Sequence, residues 1–162
     1  MDHLLETADE LPLSLQRVFA FFSDATNLER ITPSALQFEI TSPQPIQIQR
    51  GTLIDYRLKL FDIPFAWRSE ITEWNPPHSF VDEQRRGPYA SWVHRHTFIA
   101  TGGGTRILDQ VTYRLPLSPL GDIAFPFVAW QLRQIFAFRQ AVVRRILLEE
   151  SESAKGAPLA QS

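Results

Sequence analysis

Cysteine is missing from the whole 162-residue sequence. That absence removes disulfides, thiol nucleophiles and thiolate metal sites together, so any metal held here would rest on histidine and carboxylate. It also agrees with a reducing compartment. No apolar run approaches the roughly 20 residues needed to cross a bilayer. The opening Met1-Asp2-His3-Leu4-Leu5-Glu6 lacks the basic flank and long apolar stretch of a secretory signal. Stable membrane insertion is therefore not expected, and a cytoplasmic location is. The 16 basic and 18 acidic side chains are scattered, with no stripe of Lys and Arg able to follow a phosphate backbone, which speaks against nucleic acid as a partner. The run Gly102-Gly103-Gly104 is no phosphate loop, because no lysine follows it and no helix opens after it.

What the chain does have is apolar and aromatic bulk. Its 44% hydrophobic and 12% aromatic content suffices for one sizeable core, so a single domain is expected over residues 1–150. The small, polar residues 151–162 are expected to form a flexible tail. After a strand around His3 to Ala8, Ser14 is placed to cap a helix carrying Leu15, Val18, Phe19 and Phe22 at helical spacing. A second helical turn over Asn27 to Ile31 stops before Pro33. Beyond Leu36 to Thr41 and a link through Pro43 and Pro45, strands are expected over 51–60, 64–74, 79–85, 91–100 and 105–115. Their connections are short enough to force antiparallel pairing. From Pro119 to Glu150 the period turns helical: Val128, Leu132, Ile135, Phe136, Val142, Val143 and Ile146 make an apolar stripe, with Ser118-Pro119 at its entry and Pro126 set to kink or restart it. One long helix must then cover the apolar face of one curved sheet, an α+β arrangement of two layers.

Alternation along the strands separates an inner from an outer face. Ile54, Tyr56, Leu58 and Leu60 alternate with Asp55, Arg57 and Lys59; Phe65, Trp67, Ser69 and Ile71 alternate with Arg68 and Glu70. In the next hairpin Trp92, His94, His96 and Phe98 share a face. If Thr101 to Gly104 closes that hairpin, His96 lies opposite Asp109, among Ile107, Val111 and Tyr113. Ionisable groups among apolar walls cost several kcal/mol unless paired or met by a polar guest, so this interior is a candidate site.

Four readings of His94, His96 and Asp109 stay open: a structural pair holding the register, a group orienting a guest's hydroxyl or carbonyl, a general base with Asp109 fixing its tautomer, and a metal site. His-x-His aims two imidazoles at one point, but no third ligand is evident nearby, so no metal and no cofactor is assigned. Tyr56, Trp67, Trp92 and Tyr113 are expected as cavity walls. Tyr89, after the polar run Glu83 to Arg86 and Gly87-Pro88, is expected in a solvated turn or at a pocket rim. Arg139 interrupts the helix stripe, seven residues after Leu132 and seven before Ile146; its guanidinium either reaches the surface or enters the cavity as an anchor.

The segment Ser14 to Pro33, with Val18-Phe19-x-Phe21-Phe22-Ser23-Asp24-x-x-Asn27-Leu28-x-Arg30-Ile31, resembles the helix pair of the START-like or SRPBCC superfamily, which includes the polyketide cyclase/dehydrase-like proteins. Gly51-Thr52-Leu53-Ile54-Asp55-Tyr56, Gly87-Pro88-Tyr89 with Trp92-x-His94-x-His96, and Gly104-Thr105 through Asp109-x-Val111-x-Tyr113 to Pro116 extend the likeness over residues 4–148. The resemblance implies a helix-grip fold, a bent antiparallel sheet wrapped around the C-terminal helix with a cavity between, and a hydrophobic or amphipathic guest. It carries no shared catalytic motif. The expectation is a carrier or sensor for a hydrophobic, ring-containing small molecule. The alternatives are an aromatase/cyclase-type enzyme using a cavity histidine and a module that binds a partner chain. The oligomeric state is left open.

Overall fold

The structure, a computed structural model, describes residues 1–117 and 120–156. In chain order the elements are β1 (Asp2–Leu11), α1 (Leu15–Phe22), α2 (Asn27–Arg30), a 3-10 turn (Ser34–Leu36), β2 (Glu39–Ile40), β3 (Leu53–Leu60), β4 (Ile63–Asn75), β5 (Ser79–Arg86), β6 (Ser91–Thr101), β7 (Gly104–Arg114), α3 (Leu120–Ile123) and α4 (Phe125–Gly156). The strands form one antiparallel sheet in the order β1-β7-β6-β5-β4-β3-β2. The chain therefore runs as a meander from β2 to β7 and closes the far edge with its first strand, the expected helix-grip order.

Local chemistry explains the boundaries. The Ser14 side chain accepts a hydrogen bond from Arg17 N at 3.4 Å, satisfying a free donor at the start of α1. Asp24 accepts from Thr26 N at 3.0 Å and turns the chain between α1 and α2. The β6–β7 hairpin pairs Ala100 with Thr105 and His96 with Asp109, the register read from the alternation. Gly104, at φ 154°, lies against the backbone of Leu11 and Pro12 with no space for a Cβ, which lets β1 cross beside the hairpin. At the β3–β4 turn, Phe61 and Asp62 both adopt left-handed φ values of 53° and 61°, so a two-residue turn forms without glycine.

Two expectations need correction. The chain from Ser151 is not yet a tail: α4 continues to Gly156. Extending a formed helix adds one hydrogen bond per residue fixed, and neither glycine nor proline intervenes before Gly156. Glu150 is tied there by Arg17 and Arg30 at 3.5 and 3.1 Å. The first strand is also longer than expected, because β1 pairs with β7 from Asp2 to Leu11. Ser118-Pro119 and residues 157–162 lie outside the described residues, whereas α4 does restart at Phe125-Pro126.

The inner face is covered by two packed clusters. One gathers Leu11, α1 residues Leu15, Val18 and Phe19, Phe98, and Val142, Val143 and Leu147 of α4. The other gathers Leu58, Leu60, Trp67, Tyr89, Trp92, Val111 and Tyr113 under Val128, Leu132 and Phe136.

Candidate functional site

Between these clusters the sheet and α4 do not meet, leaving a cavity of about 160 Å³. Apolar side chains make up most of its walls, with aromatic residues of the meander among them, because the strands place every second residue inward. Tyr56 stacks on Trp67 at 5.7 Å between ring centroids, and Trp67 meets Trp92 edge to face at 5.4 Å. Their polar tips converge on Ser69, which is 4% exposed: Trp67 Nε1 donates to Ser69 Oγ at 3.2 Å, and Tyr56 Oη lies 3.2 Å from the same oxygen. Burial, then the nearby Asp82 charge, pushes the Tyr56 phenol well above its ordinary value, so it stays neutral.

Seven of the nine expected residues line the cavity: Tyr56, Trp67, Tyr89, Trp92, His94, His96 and Arg139. Tyr89 is buried, not set in a solvated turn. The Gln84 amide clasps its backbone, donating to Tyr89 O at 2.7 Å and accepting from Tyr89 N at 3.3 Å. Arg139 lies beside the rings of Phe22 and Phe136, 5.6 and 5.9 Å from their centroids.

Tyr113 and Asp109 point inward as expected but do not reach the cavity. Tyr113 packs behind Tyr89 and Trp92, at 5.8 and 6.0 Å, and those two rings form the wall. Asp109 sits behind the imidazoles: its Oδ1 is 2.8 Å from His94 Nε2 and 3.0 Å from His96 Nδ1. Only the first contact has hydrogen-bond geometry, and His96 Nδ1 has no directed partner.

Sequence reasoning missed Asp82. It pairs with His94 in the β5–β6 register, and its Oδ2 lies 3.0 Å from His96 Nε2 and 3.7 Å from His94 Nδ1. The alternation Phe80, Asp82, Gln84 was the available signal, since apolar Phe80 marks the inward parity. Two carboxylates thus bracket two imidazoles whose rings lie 3.7 Å apart. Burial works against the charge of each group. At His96 the two carboxylates outweigh it and raise the imidazole's pKa; at His94 burial and the neighbouring His96 win and lower it. For Asp109, burial is overcome by both imidazoles, holding the carboxyl well below the usual range; Asp82 is lowered in the same manner. The cavity is therefore apolar through most of its lining, with a charged cluster at one place in its wall.

Residues 11–138 match the family described as polyketide cyclase / dehydrase and lipid transport. The chain belongs to that family. No curated protein matches it. Among solved structures, a Thermus thermophilus protein superposes with a TM-score of 0.74 at 16% identity, over 92% of this chain and 99% of that one. A norcoclaurine synthase point mutant from Thalictrum, in complex with a transition-state analogue, gives 0.68 at 15%, over 93% and 97%. The di-domain aromatase/cyclase StfQ of the steffimycin biosynthetic pathway gives 0.74 at 12%, over 94% of this chain and 52% of that one. At such identities the likeness shows the helix-grip fold alone. Among the described residues, no helix is long and apolar enough to cross a membrane.

Proposed function

We propose that this family member binds a hydrophobic, ring-containing small molecule in the cavity between sheet and α4. The observation that carries the reading is a ring-sized hollow of about 160 Å³ with apolar, partly aromatic walls and polar groups confined to a few positions. Apolar cavities of about this size take up benzene-sized guests, and a few placed polar groups supply orientation. Arg139 and the His94–His96 pair are the groups that would meet a guest's oxygen.

Because Trp67 and Trp92 line the cavity, their fluorescence reports occupancy. Titration with 1-naphthol is expected to quench it saturably at one equivalent, and native mass spectrometry of freshly purified protein should show a retained apolar molecule. Failure of a panel of apolar ring probes to give saturable quenching overturns the reading. A second reading, proton transfer on a folded reactive chain, is supported by the buried His94 and His96 at the cavity wall, with Asp109 behind them, and by the cyclisation chemistry in the family's description. It requires His96→Gln to abolish turnover while circular dichroism shows that the variant keeps its fold.

A further inference from the structure

We infer that Asp82, His94 and His96 form a divalent-cation site in the cavity wall, with Asp109 as the group that orients both imidazoles. The inference stands apart from the guest reading, because it rests on the geometry of the cluster alone. One ligand atom from each of the three residues lies within 4.8 Å of the others. A tetrahedral zinc ion, bonded at about 2.0–2.1 Å, holds its ligand atoms about 3.3 Å apart. The observed separations from Asp82 Oδ2, 3.0 Å to His96 Nε2 and 3.7 Å to His94 Nδ1, straddle that value.

The contacts around the two rings leave a place for a cation. Asp109 Oδ1 hydrogen-bonds His94 Nε2 at 2.8 Å. On the other side of the ring His94 Nδ1 faces Asp82 Oδ2 at 3.7 Å, too far apart for a hydrogen bond. A cation between them satisfies both. On the other ring, His96 is 3% exposed and its Nδ1 lacks a directed partner while lying 3.0 Å from Asp109. A metal on His96 Nε2 places the ring proton on Nδ1, which then donates to that carboxylate. A carboxylate behind a ligating histidine is the usual supporting arrangement of such sites, and here one carboxylate serves two.

The rings are also fixed before any ion arrives. His96 stacks on Phe80 at 4.1 Å, and His94 meets Phe136 edge to face at 5.4 Å. All three ligands line the cavity, so a fourth position faces the hollow and is open to water or to an oxygen of a guest. Two imidazoles and one carboxylate suit zinc, and the missing thiolates argue against copper(I).

The full chain, stripped with chelator, is titrated with zinc in a calorimeter and with cobalt(II) in a spectrophotometer. One zinc per chain and the intense visible absorption of four-coordinate cobalt are expected. Asp82→Asn and His94→Gln should each abolish stoichiometric binding, and Asp109→Asn should weaken it about 10- to 100-fold, with circular dichroism confirming that each variant folds. No stoichiometric binding to the unaltered chain overturns the site, as does zinc binding unchanged in folded Asp82→Asn. Should the variants unfold, the cobalt spectrum of the unaltered chain decides alone: six-coordinate, weakly absorbing cobalt rejects the site.

Discussion

The two halves of α4 lie over the same sheet and meet it differently. Its later part, through Val142, Val143 and Leu147, closes onto a solid core with Leu11, Leu15, Val18, Phe19 and Phe98. Its earlier part, through Leu132, Ile135, Phe136 and Arg139, walls the cavity. Periodicity does not separate them, since both halves carry the same apolar stripe. What differs is the third partner: α1 inserts Leu15, Val18 and Phe19 at the later end, and α1 contributes nothing to the cluster at the earlier end. A sheet with this bend needs more than one helix to fill it, and the hollow persists where α1 and α2 reach it only through Phe22 and Leu28.

Leu147 and Leu132 allow the sharpest test, being the same residue type at 2% and 3% exposure in the two halves. Leu147→Ala removes contacts on every side and should cost within the range of about 2–5 kcal/mol, toward its upper end. Leu132 borders empty space on one side and has fewer partners to lose, so Leu132→Ala should fall toward the lower end. Paired thermal or urea unfolding measures the difference. Equal losses would mean that the hollow is closed in solution.

The next largest effect concerns the polar lining. In the solid half the buried groups are almost all apolar, whereas Ser69 holds two aromatic tips at the cavity. Ser69→Ala leaves the buried indole N–H of Trp67 without its acceptor, a loss of about 1–3 kcal/mol. A stability unchanged within about 0.5 kcal/mol would show water entering the hollow to replace the hydroxyl.

This contrast sets what was legible in the sequence. Period-2 alternation and a short hairpin placed Trp92, His94 and His96 inward and put Asp109 opposite His96, because register follows from parity once the turn is known. Asp82 was harder to find. The β4–β5 ladder shifts register between Ile71 and Glu73, and the loop before Ser91 gives no fixed count across the next pair. Parity also cannot report depth: Tyr113 faces inward as correctly as Trp92, yet Trp92 stands between it and the cavity. Nor does the alternation reveal the exposed aromatic cluster beside the β3–β4 turn. There Phe61 stacks on Phe127 at 4.5 Å and Trp130 follows at 6.1 Å, all three more than 40% exposed. It depends on a left-handed turn at Phe61-Asp62 that no glycine announces.

The smallest expected effect sharpens the comparison most directly, because it adds matter instead of removing it. Leu147→Phe forces a ring into a filled core and should cost about 1–3 kcal/mol, as overpacking does. Leu132→Phe has a void of about 160 Å³ beside it, so the ring can swing into the hollow in a relaxed rotamer at a cost below about 1 kcal/mol. That gain in tolerance takes space from any guest, so 1-naphthol affinity should fall at least tenfold in Leu132→Phe and stay unchanged in Leu147→Phe. Unfolding curves and fluorescence titrations on the two variants separate the outcomes. If both variants lose equal stability and neither loses probe binding, the cavity is not where α4 and the sheet part.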